Sequence, residues 1–287
     1  MPGTTVDYLT IVPDRSPPKN MNSMKSIYLL PLLTQLSIVS PSIAYSLSPV
    51  KINLDKDTNS QDIEISNDNP TEKLRIQVDS FKWGQNTQGE SVLEPTREIV
   101  AFPTLLEIPP NSKRTVRVGV RVPSGTSEKT YRVIVKQLKN VPIGEVAQSK
   151  QRKSELSLLI NMNLPVYVEP INVLRAAEFG NGRLKNQQLA FTLSNTGNVK
   201  VEAGEATLQA LTATGEVVAN TKIKLGNILA SVKREFVVDL PKSKCEKVRS
   251  VVVDATNNPD RNRRLDNLKI TIPTPNGVCK QGNGKNG

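Results

Sequence analysis

After residue 45 apolar and polar positions alternate along most of the chain, and each alternating run ends in a cluster of turn residues. A period of two sends one face of an extended segment into a core and the other into water. In the first half the pattern predicts strands over 48–54, 61–66, 72–83, 97–101, 104–108, 113–122, 129–138 and 155–169. "SNDNP", "PPNS" and "PSGTS" punctuate them; Asn, Pro and Gly set the backbone angles that turns require. "EKLRIQVDSFKW" and "KRTVRVGVRV" show the alternation most cleanly, with charges on one face.

One run is unusual. In "SELSLLINMNLPVYVEP", residues 154–170, Leu156, Leu158, Ile160 and Met162 share a face, opposite Ser157, Leu159, Asn161 and Asn163. Pro165 then interrupts the run, and a proline inside a strand belongs on an edge or at a bulge. A long apolar edge strand invites pairing with another chain.

In the second half, strands are predicted over 172–178, 188–194, 199–210, 216–224, 233–239, 246–254 and 267–273, with "VEPIN" at 168–172 as the hinge. "IEISNDNPTEKLRIQV" and "AFTLSNTGNVKVEAGEATL" echo each other as strand, Ser-Asn turn, strand. About seven short strands per hundred residues point to sandwiches. The expected fold is all-β: two immunoglobulin-like β-sandwich domains set at an angle with a cleft between them. Residues 45–169 and 170–275 form the two domains, and 276–287 a flexible tail that holds Cys279.

Composition narrows the function. Aromatic residues are 4% of the 287, so Val, Ile and Leu must build the cores. The formal charge is +11, yet the basic residues are scattered over strand faces apart from "KQRK" at 150–153. No zinc spacing, stacking run or basic helix points to nucleic acid. With no histidine, Ser-His-Asp and Cys-His sets are impossible, and no phosphate-binding glycine loop is present. No catalytic residue, metal site or cofactor is therefore expected. Cys245 and Cys279 form a disulfide if the chain is exported; two separate buried thiols are the alternative. "MKSIYLLPLLTQLSIVSPSIAYS" has the Lys25 charge, a short apolar run and small residues before a cleavage point after Ala44. These features predict a secretory signal within 1–44, with translation starting at Met21 or Met24, and no membrane-spanning segment in the mature chain.

Four segments carry a resemblance: "SPVKINLDKDTNSQDIEISNDNP", "VLEPTREIVAFPTLLEIPPNSKRTVRVG", "YRVIVKQL" and "SELSLLINMNLPVYVEP". In this order they resemble the periplasmic pilus chaperones of the chaperone–usher pathway, and "PVYVEP" is similar to the archaic branch of that family. The similarity covers residues 47–170. It implies a periplasmic protein that binds incomplete pilus subunits by donor-strand complementation and delivers them to an outer-membrane usher. Leu156, Leu158, Ile160 and Met162 match the donor positions. The family anchors the subunit carboxylate with two cations. Lys51 matches the first, whereas Pro165 stands where the second, a lysine, is expected. The preceding strand runs antiparallel, which brings Arg132 near Pro165 and makes its guanidinium a replacement anchor. The resemblance also implies a cis bond at Phe102–Pro103. A structural or adhesive tandem of immunoglobulin-like domains is the alternative function.

Overall fold

In a computed structural model the described residues are 45–139, 159–185, 187–240, 247–256 and 268–274. Leu156, Leu158, Cys245 and Cys279, the signal segment and the tail lie outside them. The described residues contain no α-helix and fold into four sheets.

Two sheets face each other in the first half. In one, β1 (Ser46–Ser48), β3 (Ser60–Asn67), β8 (Ser112–Val120) and β6 (Ile99–Phe102) lie side by side in that order. In the other the order is β2 (Ile52–Leu54), β10 (Asn161–Val168), β9 (Lys129–Leu138), β4 (Leu74–Gln85) and β5 (Ser91–Pro95), with β7 (Leu105–Ile108) also paired to β4. The described residues thus begin in one sheet and cross to the other between β1 and β2. The inward residues that the alternation picked out fill the space between the sheets, among them Ile52, Ile63, Ile76, Val116, Val133 and Val166. The peptide bonds Ser48–Pro49 and Phe102–Pro103 are cis; the second agrees with the resemblance, and the first had no counterpart in the sequence reading.

The second half repeats the scheme. β11 (Ala177–Lys185), β12 (Gln188–Asn195) and β15 (Lys233–Asp239) form one sheet. β14 (Val217–Ile228), β13 (Val201–Leu211), β16 (Ser250–Asp254) and β17 (Lys269–Pro273) form the other. Their core centres on Leu189, Phe191, Leu193, Leu208, Val251 and Val253. The Ser-Asn echo has a physical basis. Asn67 ends β3, is buried, and donates from Nδ2 to the carbonyls of Glu72, Ile108 and Pro109 at 2.8–3.0 Å. Its Oδ1 accepts the Asn69 N–H. Asn195 ends β12 the same way, donating to Val199 and Ile228 and accepting from Gly197. Each amide satisfies backbone groups that the turn leaves without a ladder partner.

Several segments depart from the sequence expectation, which read 48–54 as one strand where the structure has β1 and β2 in different sheets. β5 was not foreseen; its "SVLEP" is short and ends in proline. Residues 172–176 are not a strand. Asn198 holds them instead: its Nδ2 donates to the Asn172 carbonyl at 2.7 Å, and its Oδ1 accepts the Leu174 N–H at 2.7 Å. The strand starts later, at Ala177, and runs through "GNGR", which reads as a turn. Here Asn181 takes φ 51° and the ladder slips between Gly180 and Arg183, a bulge that absorbs the turn residues within the strand.

Candidate functional site

β10 is an edge strand over its first half. β9 pairs with it from Asn161↔Lys136 to Val168↔Lys129, whereas β2 covers only Val166–Val168 on the other side. The Gln137 N–H donates to the Ile160 carbonyl at 3.2 Å. In an antiparallel ladder, residues alternate between facing the partner and facing away. Ile160, Met162 and Leu164 therefore spend their backbone groups on β9. The N–H and C=O groups of Asn161 and Asn163 point to the open side, where nothing pairs with them among the described residues. Pro165 comes next with no N–H to offer, so the free edge stops there and β2 takes over.

The side chains of this strand split between two surroundings. Leu164, Val166 and Val168 belong to the first core, and Ile160 and Met162 are half-buried against it. Tyr167 points the other way, into a small cluster with Trp83 and Leu229, which lies between β14 and β15.

Two cations flank Pro165. Arg132 lies opposite it on β9. Ile52 pairs with Val166 in parallel register, so Lys51 falls one step back, level with Pro165. The neighbours of all three along their strands, Ile52, Tyr131, Val133 and Val166, are buried in the core. Alternation therefore puts Lys51, Arg132 and Pro165 on the outer face of the sheet, the face on which Trp83 and Tyr167 meet Leu229. Lys51 is exposed. Arg132 is half-buried with its guanidinium carbon 3.6 Å from the centre of the Trp83 ring, which holds it by cation–π attraction. Its Nε is buried with no hydrogen-bond partner among the described residues. Burial pulls its pKa below the usual arginine value, and Arg132 remains a cation. Burial pushes the Tyr167 phenol up to about 12, against the pull of Arg132, so it stays neutral.

Around the Trp83–Tyr167 cluster the two halves are bonded to each other. Lys200 Nζ lies 4.1 Å from the Tyr167 ring centre and 2.8 Å from Glu202 Oε1. The Glu128 carboxylate accepts the Lys200 N–H at 2.8 Å, and burial raises its pKa despite that bond and the charge of Lys200. The hairpin between β4 and β5 reaches β15: Thr87 O accepts the Glu235 N–H at 2.7 Å, and Arg234 donates to Gln88 O and Leu225 O. Gly89, at φ 85°, lies so close that any Cβ there would overlap the Arg234 guanidinium.

Sequence reasoning had placed Lys51 and Arg132 near each other but missed Trp83, Tyr167 and Glu128. The chain's single tryptophan follows Phe81 on the face of β4 that otherwise carries Arg75, Gln77, Asp79 and Gln85, and that pair of aromatic residues on a polar face was the available signal. Among the described residues no group of three or more acidic or cysteine side chains could hold a metal, and no helix is long and apolar enough to cross a membrane.

Residues 44–174 match the family described as pili and flagellar-assembly chaperone, PapD N-terminal domain. No curated protein sequence matches the chain. Among solved structures, the class 5 fimbriae chaperone CfaA is similar at 14% identity and a TM-score of 0.51, over 80% of this chain and 99% of that one. The CsuC–CsuE chaperone–tip adhesion subunit pre-assembly complex, from archaic chaperone-usher Csu pili of Acinetobacter baumannii, covers the same shares at 16% identity and a TM-score of 0.49.

Proposed function

We propose that the chain, whose residues 44–174 match the pili and flagellar-assembly chaperone family, is a periplasmic chaperone for pilus subunits. It takes up a subunit lacking its last strand by adding β10, and the segment before it, to the subunit's open sheet. The subunit is kept soluble until an outer-membrane usher receives it. The observation that carries this reading is the free edge of β10. Asn161 and Asn163 turn backbone groups that pair with nothing among the described residues toward a partner strand, and the edge ends at Pro165 between two cations. Strand addition uses such main-chain bonds for affinity and alternate side chains for specificity.

In this reading Leu156, Leu158, Ile160 and Met162 enter the subunit's core. Burying each such side chain is worth about 1.5–3 kcal/mol before the costs of association. Ile160 and Met162 already lean on the chaperone's own core, so Leu156 and Leu158 are the cleaner donors to test. Arg132 and Lys51 receive the subunit's terminal carboxylate. The Arg132 fork, half out of water and held over Trp83, takes the part of the lysine that Pro165 displaces. Cys245 and Cys279 form a disulfide once the chain is exported, and cleavage after Ala44 releases the mature protein.

The test is co-expression with a pilus subunit that lacks its final strand, followed by purification from the periplasm. The wild-type chain should yield a soluble one-to-one complex. Leu156→Asp combined with Leu158→Asp should lose the complex and keep the thermal midpoint of the free chain. A double variant that still holds the subunit would overturn the proposal.

A further inference from the structure

At Ile160, just before β10, three hydrogen bonds converge. The Ile160 carbonyl accepts the Gln137 N–H at 3.2 Å and the Tyr45 phenol at 3.0 Å. The Ile160 N–H donates to Gln137 Oε1 at 3.2 Å. The Gln137 side chain thus extends the β9–β10 ladder one bond beyond the strand. Tyr45 is 0% exposed and sits just before β1, in the opposite sheet. Its ring crosses the first core to reach the seam between β9 and β10, where Val135 O is also within 3.3 Å. A phenol has one proton to donate, and the shorter contact is to Ile160.

From these contacts we infer that Tyr45 and Gln137 staple Ile160 and so fix the register and direction in which the donor segment leaves the sheet. The inference rests on the strand-donation reading above. Its physical content is preorganisation. A one-residue slip would turn every apolar donor side chain to the wrong face. A donor segment free to pivot at Ile160 would also lose conformational entropy on capture that the staple has already removed on folding. Beyond the β9 ladder and the packing of Ile160 and Met162 on the first core, the described residues show no other hold on this end of β10: β2 stops at Val166, and Asn161 and Asn163 have their backbone groups turned outward. Tyr45 and Gln137 are positioning residues that act through Ile160.

The variants are Tyr45→Phe, which keeps the ring and loses the phenol, and Gln137→Met, which keeps length and loses the acceptor. Amide exchange on the full chain and subunit capture on co-expression are measured together. In both variants exchange at the Ile160 and Met162 amides should speed up about tenfold, the change expected for loss of one buried hydrogen bond. Amides of β3 and β8 should be unaffected. Capture of the strand-deficient subunit should fall several-fold, and further in the double variant. If exchange rises equally across all strands, the two residues merely support the fold and the staple is refuted. If exchange rises locally while capture is unchanged, the positioning role is refuted. If the wild-type chain itself captures no subunit, the functional reading fails, and the inference fails with it, whatever exchange shows.

Discussion

Single side chains in this molecule do work that a residue of similar size could not. Asn67 is the clearest case: three carbonyls depend on one amide. Asn67→Ala removes the donor that these carbonyls share, and should cost about 1–3 kcal/mol, read from the shift of a urea unfolding curve. Glu128 works the other way. Its buried carboxyl has a folded pKa above the unfolded one. The stability it permits is fully present below the unfolded value and declines as pH rises through the folded one. Glu128→Gln keeps an acceptor for the Lys200 N–H and removes the charge. The variant should therefore melt higher than wild type at pH 7, and the gap should close near pH 4, where the wild-type carboxyl is protonated. A constant gap across that range would mean the charge is not the cause. The phenols set an upper limit in the same manner. Tyr45 and Tyr167 are both pushed up to about 12 by burial, so stability should fall as pH rises from about 10 to about 12.

At the level of the strand, what matters in β10 is backbone direction. Asn163 turns its N–H to the open side, so Asn163→Pro should remove a bond to an incoming strand and leave pairing with β9 intact. Capture should drop while the far-ultraviolet dichroism of the free chain stays the same; unchanged capture would mean the edge is not used. This property was half legible in the sequence. Alternation in 155–169 and the lone Pro165 named an edge strand, and the antiparallel course of 129–138 brought Arg132 beside it. What could not be read was how each side chain divides between the core and the open side. Ile160 and Met162 read as open-face positions in the sequence, yet they rest on the first core, to which Tyr45 comes from the other sheet. Such long-range arrivals leave no local periodicity. The second half misled for the same reason. Residues 172–176 have apolar residues at strand spacing, but Asn198, distant in sequence, takes up their hydrogen bonds. Conversely, "GNGR" hides a strand because only pairing with β12 shows that its turn residues form a bulge.

Over the whole molecule, the two halves are joined by more than the connecting segment 169–176. Glu128 and Thr126 bond Asn198 and Lys200 on one side, and Gln85, Thr87 and Gln88 bond Leu229, Asn227, Glu235 and Arg234 on the other. Gly89 is the point where this second set is most easily broken. A side chain there must adopt an unfavourable φ and displace the Arg234 guanidinium. Gly89→Val should split a single calorimetric transition into two and increase the radius of gyration measured by small-angle scattering. A single transition with an unchanged radius would show that the remaining contacts suffice. The hairpin that carries Gly89 grows out of β4, and β4 pairs directly with β9, which in turn holds the free edge. A torque applied to the second sandwich would therefore reach the free edge of β10 within three strands and without passing through the connecting segment. In mechanical terms the second sandwich is a handle, and the β4–β5 hairpin is the shaft that turns with it.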